Sequence, residues 1–224
     1  MVELRSLVRC SFVPLVLTSS VPVVAQEVGG GSSPPTDAQI AAIVVTANAI
    51  DIAYGRLARE RSRNAAVQSF ASTMIADHTA VNEQAAALVA RLGVEPEENE
   101  MSRALAAAAE AKRAELSGKS GAEFDRAYIE NEVAFHQLVL DALDGTLLPN
   151  AKNAELRALL QAVRPAIVAH LEHAKQLRTA VSAGGAAPPD RTHGVEIRDF
   201  VLRLEGLRAA VEDPVVFPEP LLIS

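Results

Sequence analysis

Cysteine is nearly missing. The chain of 224 residues has one, Cys10, and it lies inside the first 25 residues. A product that loses that segment has no disulfide and no thiolate ligand, so finger-type structural zinc is excluded. Tryptophan is absent and aromatic residues make up 4%, which leaves no ring platform for stacking bases or sugars. Lys and Arg form no cluster and the formal charge is −7. Nucleic acid and anionic membrane surfaces are therefore not expected partners. No stretch alternates apolar and polar residues in the manner of a strand. No Glu-x-x-His pair occurs anywhere.

What remains is alanine, helical period and a few titratable groups. The chain opens with "MVELRSLVRCSFVPLVLTSSVPVVAQEV". Arg5 and Arg9 precede an apolar run from Phe12 to Val24, and "VVA" before Gln26 offers a cleavage site after Ala25. Residues 1–25 thus read as a signal peptide, and the product is expected to be periplasmic or otherwise exported. The run is short and broken by Pro14 and Pro22, so no stable membrane insertion is expected once it is cleaved. A lipid-bearing cysteine would end such a run, and Cys10 precedes it. Loss of Arg5, Arg9 and Glu3 takes the formal charge from −7 to −8.

Residues 26–36, "QEVGGGSSPPT", read as a flexible linker. Thr36 and Gln39 then fit a capping box. The spacing of apolar residues predicts helices over Asp37–Glu60, from a Ser62 cap to Leu92 with Gly93 as the stop, and over Ala122–Leu143 and Asn153–Val181. A shorter Ala-rich helix is predicted over Glu100–Leu116. Together these predict an all-α domain over 37–182: an up-down four-helix bundle with a short extra helix in the crossover between the second and third long helices. Residues 183–224 are a Pro-punctuated tail. An amphipathic helix over 195–212 could serve a protein partner or self-association.

Histidine carries the functional question. His78 and His170 replace apolar residues in the stripes of the second and fourth long helices. His136 shares a face with Ile129, Val133 and Leu140. His173 lies one turn beyond His170. Asp51 borders the first stripe, Asp77 precedes His78, Glu132 lies one turn before His136, and Asp125 and Tyr128 open the third long helix. Imidazoles and carboxylates facing inward from several helices are how bundles hold metals, and this donor set suits iron, manganese, zinc or copper. The competing reading is that each histidine is a hydrogen-bonded core residue, paired with a carboxylate and holding nothing. Counting from the predicted turns places Asp51 and His78 about 7 Å apart along the axis. The same counting sets His170 and His173 level with Asp125 to Glu132. The most economical cluster is then Glu132, His170 and His173, with His136, His78, Asp51 and Asp125 as further candidates.

"FASTMIADHT", "FDRAYIENEVAFHQLVL" and "RPAIVAHLEHAKQL", in this order behind a signal peptide, resemble a bacterial envelope family. It is catalogued as domain of unknown function 4142 and assigned to the ferritin-like superfamily. The resemblance covers about residues 36–182. His78, Asp125, Tyr128, His136, Pro165 and His170 fall on the family's recurrent positions, and Asp51 stands where its members often carry Glu. The resemblance implies an exported up-down four-helix domain and no particular activity. The superfamily's di-iron sites use Glu-x-x-His, which this chain replaces with Glu132-x-x-x-His136 and His170-x-x-His173. Two readings stay open: an exported bundle that binds a transition metal, and a structural or stress-related envelope protein whose core histidines are polar pairs.

Overall fold

The computed structural model describes residues 33–183. The expected signal peptide, residues 26–32 of the linker and the tail from residue 184 lie outside these residues. The described part is all-helical: α1 (Asp37–Arg61), α2 (Ala65–Leu92), α3 (Glu100–Ser117), α4 (Gly121–Ala142), a π-helical turn (Leu143–Leu147), α5 (Leu148–Asn150) and α6 (Ala154–Ser182). No strand occurs among the described residues.

Side chains set most of the boundaries. The Thr36 hydroxyl accepts from the Gln39 amide, and the Gln39 side chain accepts from the Thr36 amide, which closes the expected capping box. The cap of α2 is Asn64, whose Oδ1 accepts from the amides of Ala66 and Val67. Ser62 instead ends α1 and its hydroxyl accepts from the Asn64 amide, so the expected Ser62 cap is corrected by two residues. Gly93 ends α2 at φ 62°, where the absence of a Cβ removes the penalty of the left-handed conformation. Asn99 and Asn153 cap α3 and α6.

The third long helix departs most from expectation. It does not stop at Leu143. It continues through the π-helical turn into α5, and the chain reverses only at residues 151–153. Gly145 passes within the turn. Pro149 sits in the first turn of α5, where its missing N–H has little cost.

α1 packs against α2 and α4 against α6; contacts of α2 with α6 and α1 with α4 join the pairs, and α3 lies mainly against α1. Tyr54 fastens α3 by donating its hydroxyl to the Ala109 carbonyl at 3.3 Å. α1 is long and apolar enough to cross a membrane, but that apolarity faces the core, with Ile40, Ile43, Ile50, Tyr54 and Ala58 buried.

The core is divided. One apolar cluster gathers Tyr54, Phe70, Met74, Phe124, Tyr128, Ile129 and Leu177. The other gathers Ile40, Val81, Leu143, Leu160, Val163 and Ile167. Most buried polar residues of the long helices gather near the boundary of the two clusters: Asn48 and Asp51, Asp77 and His78, Glu132 and His136, and His170.

α1 and α2 meet closely at Gly55. A Cβ there would stand 2.9 Å from Ile75 Cγ1 and 3.0 Å from the Ala71 carbonyl oxygen. Backbone on one side leaves little room to relax. Gly55→Val should cost about 3 kcal/mol through overpacking, read as a lower urea midpoint with an unchanged slope. A midpoint equal to wild type would refute the close approach.

Candidate metal centre

Four helices each deliver polar side chains to one level, and their hydrogen bonds fix which ring nitrogen faces which way. His78 Nδ1 lies 2.8 Å from Asn48 Oδ1. The Asn48 amide is oriented by its Nδ2, which donates to Asn82 Oδ1 at 3.0 Å. An amide oxygen only accepts, so His78 must carry its proton on Nδ1. His136 Nδ1 lies 3.0 Å from the Glu132 carbonyl oxygen, another pure acceptor, so its proton is also on Nδ1. His170 Nε2 donates to Asp77 Oδ2 at 2.9 Å.

In its neutral form each ring is then left with one bare nitrogen: Nε2 of His78, Nε2 of His136 and Nδ1 of His170. All three are buried and have no hydrogen-bond partner, and so are both carboxylate oxygens of Asp51. Asp51 Oδ2 nevertheless stands 2.8 Å from His78 Nε2 and 3.2 Å from His136 Nε2. These are contacts of a carboxylate with nitrogens that present lone pairs, off any hydrogen-bonding direction. A positive charge among them, from a proton on His78 or from an ion, would relieve the contact.

The dimensions suit an ion. Ligand atoms about 2.1 Å from one centre and 90–110° apart are separated by about 3.0–3.4 Å; the His136 contact of Asp51 falls in this range at 3.2 Å and the His78 contact, at 2.8 Å, is shorter. Rings bound in a trigonal arrangement would have centroids about 5.5 Å apart, taking about 3.2 Å from metal to centroid. The centroid separations are 5.7 Å for His78–His136 and 5.4 Å for both His78–His170 and His136–His170. One ligand atom from each of these three histidines lies within 4.8 Å of the others, and a second such set joins Asp51, Glu132 and His136. His136 belongs to both sets, with Nε2 facing Asp51 and Nδ1 3.5 Å from Glu132 Oε2. The outer nitrogens donate to an amide, a carbonyl and a carboxylate, the support that metal-ligating histidines usually have.

Residues 24–177 match the family described as Domain of unknown function (DUF4142). The chain belongs to this family. No curated protein and no solved structure matches it. Within this DUF4142 domain the expected candidates separate into two groups. Asp51, His78, Glu132, His136 and His170 come together. Asp125 and His173 do not. Asp125 is buried but lies seven residues before Glu132 on α4, roughly 10 Å along the axis. His173 is half-buried at the edge of α6, with its ring edge-on to Phe70 at 5.1 Å between centroids. The expected cluster of Glu132, His170 and His173 is thus corrected to His78, His136, His170 and Asp51, with Glu132 beside them.

The correction has a simple cause. With the reversal at residues 151–153 rather than just after Leu143, His170 comes level with His136. With Asn64 as the cap of α2, the offset between Asp51 and His78 falls to about 4.5 Å. Side chains lean toward the N-terminus of their own helix, and in an antiparallel pair that closes the remainder. Asn48 and Asn82 were not among the expected residues. Asn48 sits three residues before Asp51 on the same face, and its proximity to His78 depends on that register.

Charge is distributed unevenly. Burial alone would raise Asp51, but the facing His78 and His136 imidazoles outweigh it and hold the carboxyl well below the usual range. Glu132 goes the other way: burial raises it well above its ordinary 4.5, and the Asp51 charge adds to this. The pair therefore keeps one proton, on Glu132. Burial lowers His136 to about 4 against the pull of Asp51. It lowers His170 as well, against the bond to Asp77. For His78, burial is outweighed by the Asp51 charge and the value rises.

Glu132 gives a test in the metal-free chain. Its folded-state value is raised, so its stabilising contribution is complete below the unfolded value near 4.5 and is lost as pH rises through the folded value. Glu132→Gln keeps the shape and the donor without the ionisation. The variant should melt close to wild type at pH 4.5 and progressively above it toward pH 8. A difference in Tm that stays constant across this range would show that Glu132 is not held protonated.

Proposed function

We propose that this chain is an exported, ferritin-like four-helix-bundle protein that binds one transition-metal ion in its core. The ligands in this reading are His78 Nε2, His136 Nε2, His170 Nδ1 and the Asp51 carboxylate. The observation that carries it is the set of buried, unpartnered lone pairs aimed at one point while every outer ring nitrogen is satisfied. Three imidazoles and one carboxylate suit zinc, copper, manganese or ferrous iron. Glu132, held protonated beside Asp51, supplies a proton that could leave when the cation arrives. The rings of His136 and His170 are already biased toward the neutral form that a metal requires. An ion in this position would be a Lewis acid close to a carboxyl able to take up or give a proton; the family carries no assigned reaction, and the binding itself is the proposal.

Metal should raise thermal stability by mass action, about 2.7 kcal/mol when free metal is a hundred times its dissociation constant. For a domain of this size that is roughly 5–10 °C in Tm. After chelation, re-adding one or more of zinc, copper, manganese or ferrous ion should give this rise. The double change His78→Ala and His136→Ala should remove it, and His173→Ala should retain it. No rise in wild type with any of the four would leave the imidazoles as polar pairs and favour the structural envelope reading.

Export rests on the signal-like segment alone. The mature protein from the cell envelope should begin at Gln26 by intact mass, and a product retaining residues 1–25 would overturn it.

A further inference from the structure

A cavity of about 360 Å³ lies beside the centre. Its walls come from α1, α2, α3, α4, the π-helical turn and α6, and they are aliphatic, with Leu105, Leu143, Leu147 and Val163 among them. No aromatic residue lines it. Its polar residues are Asn48, Asp77, His78 and His170, all from the polar layer. Among the described residues, the large apolar side chains left exposed are Met101 at 40% and Leu138 at 54%. Both line this same cavity, and their exposure marks its mouth.

Three features set it apart from a packing defect. Its size falls within the range of ligand pockets, roughly 300–1,000 Å³, where packing faults in cores are seldom much larger than a water molecule. Its exposed apolar residues are gathered at one place, when a chain this rich in alanine could cover them cheaply. And part of the wall is a π-helical turn, which supplies Leu143 and Leu147; such turns occur often at functional sites.

We propose that this cavity binds an uncharged aliphatic molecule, whose chain lies along the walls and whose polar end meets Asp77 and His78. The aliphatic walls, with no Phe or Tyr among the lining residues, favour flexible or alicyclic carbon over a planar aromatic. At about 27 Å³ per methylene, the space holds roughly a dozen carbons at most. The head is uncharged because the Asp77 carboxylate stands at the inner end, already accepting from His170. An anionic head would face that carboxylate within an apolar enclosure. A hydroxyl would instead find acceptors there, and can donate to the Asp77 carboxylate. The cavity needs no ion to be shaped this way, so the proposal stands apart from the metal reading.

The test uses the chelator-treated full-length chain and two probes with the same carbon count. Octan-1-ol should bind saturably at one site in a calorimetric titration, and octanoate at least tenfold more weakly. Ala104→Phe on α3 and Ala166→Leu on α6 both fill lining positions, and each should weaken octan-1-ol at least tenfold. Ala107→Phe, on α3 but outside the lining, should stay within twofold of wild type. Absence of saturable octan-1-ol binding would overturn the proposal and leave the groove to another segment of the chain or to a protein. Equal binding of octanoate would overturn the uncharged head, and wild-type affinity in both filling variants would overturn the location.

Discussion

A single buried carboxylate faces two imidazole nitrogens that have no proton to give it, and much of the interior is arranged around that fact. Asp51 is fully buried on α1. Its neighbours on α2 and α4 have their protons committed elsewhere, to Asn48 and to the Glu132 carbonyl. An ionised carboxylate in such a place is costly unless positive charge comes close. The chain can supply that charge by protonating His78, at the expense of a strained contact. In the proposed reading a cation from outside would supply it instead. The raised His78, the lowered Asp51 and the protonated Glu132 are three responses to one missing charge.

This layer separates two apolar clusters that could otherwise have merged. Replacing it by leucines of similar volume would remove several desolvated polar groups, a change that in other proteins is neutral or stabilising. A purely structural role therefore gives no reason for seven polar residues at one level. Pairing accounts for His170 with Asp77, and for Asn48 with Asn82. For Asp51 it leaves only the Glu132 carboxyl and a protonated His78 as donors within the layer.

The helical elements were legible because their signals are local. Apolar spacing, the Thr36 box, the Gly93 stop and the inward placement of His78 and His170 all follow from a few neighbouring residues. The grouping of the site was not legible, because it depends on register between helices. Gly145 and Pro149 read as breakers, yet both fit into a helix that passes through a π-helical turn. Ser62 reads as a cap, yet Asn64 two residues later takes that place. Each shift moves a side chain by only a turn or so, and a turn decides whether His173 or His136 faces Asp51. His173 has the right chemistry on the wrong side of α6, where Phe70 takes its ring.

The π-helical turn links register to cavity. By carrying α4 past Leu143 it sets the length of the α4–α6 hairpin, and so brings His136 and His170 to one level. It also places Leu143 and Leu147 on the cavity wall. A regular helix ended at Leu143 would lose both: the imidazoles would be about two turns out of step, and the apolar space beside them would lose two of its walls. The polar centre and the apolar cavity are thus consequences of the same local irregularity. The two adjoin at His78 and His170, which face the polar layer on one side and the cavity on the other.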